Sequence, residues 1–444
     1  MEPQFLNFIK KVDSIFQSCG MSITKEDTNR PFNRFKYHWT FFFNLLALQY
    51  GIFAQIVWIV LAMVEGISLL EITFILPCLT ICLLGEFRLG YFIYHIDSIN
   101  DVINCLKTLE IANRPNGKYS EEEHNVWFNF LKNITNLLRS TSYLGVVGFI
   151  GGALVVMVTH YYDSGELKFV LPFIGWYPFD SFDIHFYPLA CVQQILSAWM
   201  AIISIIGPDC FFFTCCTFIH LQFTILQQDL EKIVKEDLQN NKISYSEEEF
   251  VDIVNRHREL IRCVKLLDGV YSISTLFSVA TSSVIICASG FNLKVLDDSV
   301  LVFPFVAVLI FGLSQVNLHC YYGDYVMRSF VALFTSMPVG DAIYNSRWYE
   351  AEVTLRKYLL IVFVRSMKPC KFTASGFTEV NLKTFARVRH YGGGYVRWTY
   401  LRALHSHYLK NPLQRVMGTS TPKWEYKLAA DRWVIGSLDL ETGS

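Results

Sequence analysis

YPLACVQQILSAWMAIISIIGPDCFFFTCCTF, residues 187–218, carries a single charge, Asp209, in 32 residues. As a helix rising 1.5 Å per residue it would be about 48 Å long, against a hydrocarbon core of about 30 Å. One end must therefore leave the bilayer. Pro208-Asp209 marks the expected exit, with the helix continuing through His220–Leu230 on the far side. The following stretches LQQDLEKIVKEDL and FVDIVNRHRELIRCVKLL alternate charged and apolar residues at helical spacing, the pattern of helices that pack on one another outside the membrane.

Outward from this run lie five more apolar stretches, about Phe41–Met63, Leu69–Tyr94, Ser142–Tyr161, Val270–Phe291 and Val300–Tyr321. The expectation is an all-α integral membrane protein with six clear spans. Glu71, Glu86 and Arg88 fall near the ends of the second span, where snorkelling would make them tolerable. GFIGG in the third offers small residues for close helix approach. The segment Ala342–Met367 is amphipathic but broken by Arg356, Lys357 and Arg365, so it reads as a packing helix rather than a span.

Basic residues fix the expected orientation. Segments 1–40, 96–140 and 220–269 carry 18 Lys and Arg, against 2 in the intervening loops 64–68, 161–186 and 290–299. By the positive-inside rule the N-terminus is cytosolic. Residues 1–29 are polar and hold no apolar core of a cleavable signal, so the first span would act as its own. The longer connections then lie in the cytosol and the outer face is thin. Of twelve cysteines, Cys19, Cys105 and Cys263 fall in these cytosolic segments and most others within spans, so mostly free thiols are expected. The sequon Asn133-Ile134-Thr135 lies on the same side and should stay unglycosylated. A net charge of −1 gives no indication of nucleic-acid binding. HExxH, GxSxG, a phosphate-cradling glycine loop and paired CxxC are all absent, so no enzyme, cofactor or metal site is expected.

Three blocks, LPFIGWYPFD at Leu171–Asp180, AIYNSRWYEAE at Ala342–Glu352 and MKPCKFTASGFTEVNLKTFA at Met367–Ala386, resemble the insect odorant receptors, and within them the moth sex-pheromone branch. The resemblance covers about residues 1–386, apart from Phe330–Ser336, which reads like a short insertion. It implies a seven-span subunit of a ligand-gated cation channel in the plasma membrane of olfactory sensory neurons. Such a subunit would form a heterotetramer with a shared odorant coreceptor. Its cytosolic helices would form an anchor, and its seventh segment would line the pore. The implied organisation is a cytosolic segment 1–40, a six-span bundle 41–325, anchor helices and the start of the pore segment 326–386, and an atypical polar tail 387–444.

A small volatile lipophilic ligand is implied, such as a long-chain unsaturated acetate, aldehyde or alcohol. Its pocket needs an apolar, aromatic lining with one or two hydrogen-bonding groups. The outer halves of spans two, three, four and six under the 161–186 loop offer Phe74, Val155, Thr159, Phe173, Trp176, Gln194, Ser197 and Phe303. Core or lipid packing is the alternative for each aromatic. Gln194 and Ser197 share a helix face at i, i+3, as ligand contacts or as an interhelical hydrogen bond. For the pore, Val380, Asn381 and Thr384 remain near the expected cytosolic entrance.

The chain departs from the family pattern after Ala386. The tail from Arg387 has nine Lys and Arg, four Asp and Glu, and no apolar run long enough to span. A retained intron or frameshift near Val388-Arg389, or a genuine alternative C-terminus, would account for it, and such a form would be a non-conducting isoform or a gene-model artefact. A gustatory-type receptor would carry TYxxxxxQF, which is absent. A G-protein-coupled receptor would need the opposite topology with DRY and NPxxY in place. A secondary transporter would need inverted repeats or broken helices with mid-membrane charge.

Overall fold

The computed structural model describes residues 4–23, 39–66, 69–113, 121–165, 169–240, 247–295 and 299–335, with 353, 357, 373–374 and 378–379. Val380, Asn381, Thr384 and the whole tail lie outside the described residues. Within them the chain is helical: α1 Gln4–Gln17, α2 Trp39–Val64, α3 Leu69–Tyr94, α4 Ile96–Asn113, α5 Glu121–Ser164, α6 Tyr187–Asn240, α7 Glu247–Val295 and α8 Ser299–Thr335. One antiparallel pair of two-residue strands, β1 Thr373–Ala374 and β2 Thr378–Glu379, adds to them.

The long apolar run becomes a single helix. α6 has 54 residues and passes through Pro208 without a break, about 80 Å from end to end. The Tyr271 hydroxyl of α7 donates to the Pro208 carbonyl at 2.7 Å, and Ser204, Thr214 and Thr217 bond back to carbonyls of their own helix. These bonds add side-chain donors to helix carbonyls at the proline and on both sides of it. The helix neither breaks nor ends at Pro208-Asp209, and Asp209 is buried within the packed bundle. Among the described residues, five helices are long and apolar enough to cross a membrane, with spans at Trp39–Val64, Ile72–Tyr94, Tyr187–Leu226, Val251–Val295 and Phe305–Val326. Where a further span is expected, α5 carries the shorter apolar stretch Ile150–Tyr162.

The N-terminal segment holds more structure than its polarity suggests. Phe5, Ile9, Val12 and Phe16, at intervals of four, three and four, form a buried stripe on α1. Phe5 packs edge-on to Phe218 of α6 at 4.9 Å, and Phe16 stacks on Phe92 of α3 at 5.2 Å. A Cβ added at Gly207 would lie 2.6 Å from the Phe16 ring, so the glycine admits that contact. The start of α1 is held by Glu110 of α4, whose carboxylate accepts from the backbone N–H of Gln4 at 2.6 Å and of Phe5 at 3.1 Å.

α4 buries Ile99, Val102, Leu106 and Leu109, and packs on α7, which buries Leu260, Val264 and Leu267. That packing sets Cys105 opposite Cys263, and the two form a disulfide with Cα atoms 6.6 Å apart. The expectation of free thiols fails at this pair. It holds for Cys19, Cys78, Cys82, Cys191, Cys210, Cys215, Cys216, Cys287 and Cys320.

Candidate ligand-binding site

Residues 169–186, between α5 and α6, fold down as a roof. Trp176 donates its backbone N–H to the Ala54 carbonyl of α2 at 3.0 Å. Gly175 sits so close to α2 that an added Cβ would lie 3.3 Å from that of Ala54. Gln194 of α6 grips the roof from the other side: its Oε1 accepts from the Phe173 N–H at 3.0 Å, and its Nε2 donates to the Phe173 carbonyl at 2.8 Å. The Tyr177 hydroxyl accepts from Gln194 at 3.0 Å and donates to Gln193 Oε1 at 2.8 Å. Gln193 in turn donates to the Ala47 carbonyl at 2.9 Å, joining roof, α6 and α2 in one network. Burial pushes the Tyr177 phenol up to about 12, so it stays neutral and able to donate at physiological pH.

Beneath the roof lies a cavity of about 90 Å³. Its walls come from α2 (Gly51, Ala54, Gln55), α3 (Cys78, Ile81, Cys82), α6 (Gln193 to Ile205) and α8 (Ala307, Val308, Phe311), with Phe173–Gly175 and Tyr177 above. The lining is overwhelmingly apolar, with a few amides and hydroxyls, which suits a lipophilic molecule bearing one polar group.

Of the residues expected at the pocket, Phe173, Gln194 and Ser197 line this cavity. Trp176 is half-buried beside it, its ring edge-on to Phe53 at 6.5 Å, and contributes backbone rather than wall. Phe74 packs edge-on to Phe305 at 4.8 Å, away from the lining. Val155 is exposed, and Thr159 is exposed with its hydroxyl donating to the Val155 and Val156 carbonyls of its own helix. α5 is therefore not a wall among the described residues; α2 takes that position. The side chain of Phe303 lies outside the described residues. Gln55, Tyr177 and Phe311 were not anticipated. Gln55 is one of two glutamines in the apolar run Phe41–Met63; an amide in a span usually faces the bundle interior, and Gln55 does so whereas Gln49 is exposed.

One turn below the cavity lies a buried polar cluster. Arg88 of α3 and Asp209 of α6, each only 2% exposed, form an ion pair through Arg88 Nη1 and Asp209 Oδ1. Arg88 Nε and Nη2 also donate to the Ser278 hydroxyl of α7 at 2.8 and 2.6 Å. Gln315 of α8 donates to Asp209 Oδ2 at 3.0 Å, and His319 Nε2 lies 3.2 Å from Oδ1. Four helices thus meet at one charge pair. Arg88 does not snorkel to a membrane surface as its position in the sequence suggested, because a carboxylate and a hydroxyl inside the bundle take its donors.

Comparison with known proteins accords with this architecture. The chain is 21% identical over 394 residues to putative odorant receptor 85d of Drosophila melanogaster, covering 85% of this chain and 90% of that one. It is 24% identical to odorant receptor 85b of the same fly, over 85% of this chain and 94% of its relative. The fold matches that of the olfactory receptor OR5 from Machilis hrabei, solved in complex with eugenol, with a TM-score of 0.75 at 18% identity over 90% of this chain and 99% of the other. A family model, the 7tm odorant receptor, matches residues 68–390. The chain belongs to the 7tm odorant receptor family of insects, multi-pass membrane receptors and not enzymes.

Proposed function

We propose that this receptor is the ligand-binding subunit of an odorant-gated cation channel, assembled with a shared coreceptor in the plasma membrane of olfactory sensory neurons. Its ligand is a long-chain, singly oxygenated lipophile of the sex-pheromone type, its polar end held in the cavity under the 169–186 roof and its chain leading out through the cavity's open side. The observation that carries this reading is an apolar cavity, roofed on one side by a hydrogen-bonded loop, in a chain of the odorant receptor family. The excess of Lys and Arg in alternate loops supports a cytosolic N-terminus with α5 completing six spans before the pore segment. On that orientation the extended ends of α5, α6 and α7, together with α4, form the cytosolic anchor.

The test is co-expression with the coreceptor and recording of current against a panel of long-chain acetates, aldehydes and alcohols. A concentration-dependent cation current supports the reading. Surface expression without current for any of them contradicts it and favours the second reading, a non-conducting form. That alternative rests on the tail after Arg387, which has no apolar run able to continue a pore-lining span.

A further inference from the structure

The cavity's polar groups are not equivalent. Gln193, Gln194 and Tyr177 bond with one another and with the backbone, so their hydrogen-bonding capacity is largely taken by the roof. Gln55 is different. It lines the cavity, is 6% exposed, and its buried Oε1 has no hydrogen-bond partner among the described residues. An unpaired buried acceptor is costly, and a site built this way favours a ligand able to pair with it. Ser197 faces α2 beside it: it lines the same cavity, is also 6% exposed, and its Oγ would lie 2.4 Å from a Cβ added at Gly51. Gly51 and Gln55 stand one turn apart on the same face of α2, about 6 Å along the axis. The absence of a side chain at Gly51 lets the Ser197 hydroxyl come up against α2, one turn from Gln55.

We propose that Gln55 and Ser197 form the head-group subsite and that it selects a hydroxyl. An alcohol both donates and accepts: its O–H pairs with Gln55 Oε1 while its oxygen accepts from the Ser197 hydroxyl. An acetate or aldehyde of the same chain only accepts. It can take the Ser197 bond but leaves Gln55 Oε1 unpaired. The alkyl chain then extends along the apolar walls of α3 and α8, past Ile81 and Phe311. This assignment rests on the cavity being the ligand site.

The test measures binding, so it is independent of conduction. The full chain, solubilised in detergent, is labelled with a diazirine-bearing alkanol. Straight-chain alcohols from decanol to hexadecanol, their acetates and the matching alkanes then compete for the label. The best alcohol should compete at about tenfold lower concentration than its acetate, the value of one well-made buried hydrogen bond. Gln55→Leu should bring the two within about threefold, chiefly by weakening the alcohol, and Ser197→Ala should weaken both. Gln55→Met provides a second variant if leucine prevents folding, judged by monodispersity in size exclusion. Equal competition by alcohol and acetate in the wild type overturns the hydroxyl preference, as does a Gln55 variant that preserves the ratio. Ala198→Phe, which fills the cavity, separates the two levels of the argument. Undiminished labelling in that variant shows that the ligand binds elsewhere. Lost labelling together with an unaltered Gln55→Leu ratio leaves the cavity as the site and rejects the head-group assignment.

Discussion

Arg88→Met removes the cation from the four-helix cluster and leaves the Asp209 carboxylate buried, with Gln315 and His319 as its remaining neighbours. Leaving one member of a buried pair uncompensated costs about 3–5 kcal/mol. Asp209→Leu should cost a similar amount, because among the described residues Arg88 then retains only the Ser278 hydroxyl and the His319 ring. The double variant Arg88→Met/Asp209→Leu removes both charges and places apolar groups where α3 and α6 meet. Replacing a whole buried pair by apolar side chains is often neutral or stabilising, so the double variant should be more stable than either single one. Reversible unfolding of the solubilised receptor in denaturing detergent, with all four members of the cycle, measures this. The coupling should be at least about 2 kcal/mol, well outside the roughly 0.5 kcal/mol within which independent sites add. Additive single variants, or a double variant as unstable as the sum of its parts, would refute the claim that the pair acts as one buried unit.

Three further outcomes follow from the packing. Burial holds the Cys19 thiol up at about 11, so at pH 7 about one molecule in ten thousand carries the reactive thiolate, and maleimide should leave Cys19 unlabelled in the native receptor. Gly207→Leu places a side chain against the Phe16 ring; it should loosen α1 from α6 and raise Cys19 labelling several-fold, whereas unaltered labelling would mean that α1 does not depend on that contact. Tyr177 prefers its neutral form in the folded receptor, so its contribution to roof stability should be full below about pH 10 and fade as pH rises toward about 12, a window that Tyr177→Phe should abolish in thermal unfolding scans.

The sequence made some of this architecture legible and concealed other parts for physical reasons. The length and apolarity of residues 187–218 announced a helix too long for the bilayer, and α6 is one. Pro208-Asp209 was expected to mark where that helix leaves the bilayer, and neither residue interrupts it. Tyr271 bonds to the Pro208 carbonyl, and Arg88 and Gln315 bond to Asp209; these partners lie 63, 121 and 106 residues away along the chain. Arg88 was read as a surface charge for the same reason, since a buried partner is invisible until the helices are placed. The stripe Phe5, Ile9, Val12, Phe16 was present in the sequence but masked by the polarity of the segment around it. At the cavity, the polar stripe of Gln194 and Ser197 on α6 marked an inward face correctly. Which helix stood opposite depended on the order of helices in space, so α5 was expected where α2 stands. Cys105 and Cys263, 158 residues apart, pair only because α4 lies along α7.

The location of the ligand is the claim on which the functional reading turns. Photolysis of the full chain with a diazirine-bearing alkanol, followed by digestion and mass spectrometry, tests it most directly. Adducts should concentrate on peptides of α2, α3, α6 and α8 that contain cavity-lining residues, and on the Phe173–Tyr177 roof, and unlabelled alkanol should suppress them. Competable adducts confined to the outward face of α5 around Val155 and Thr159, or to α4, would contradict it.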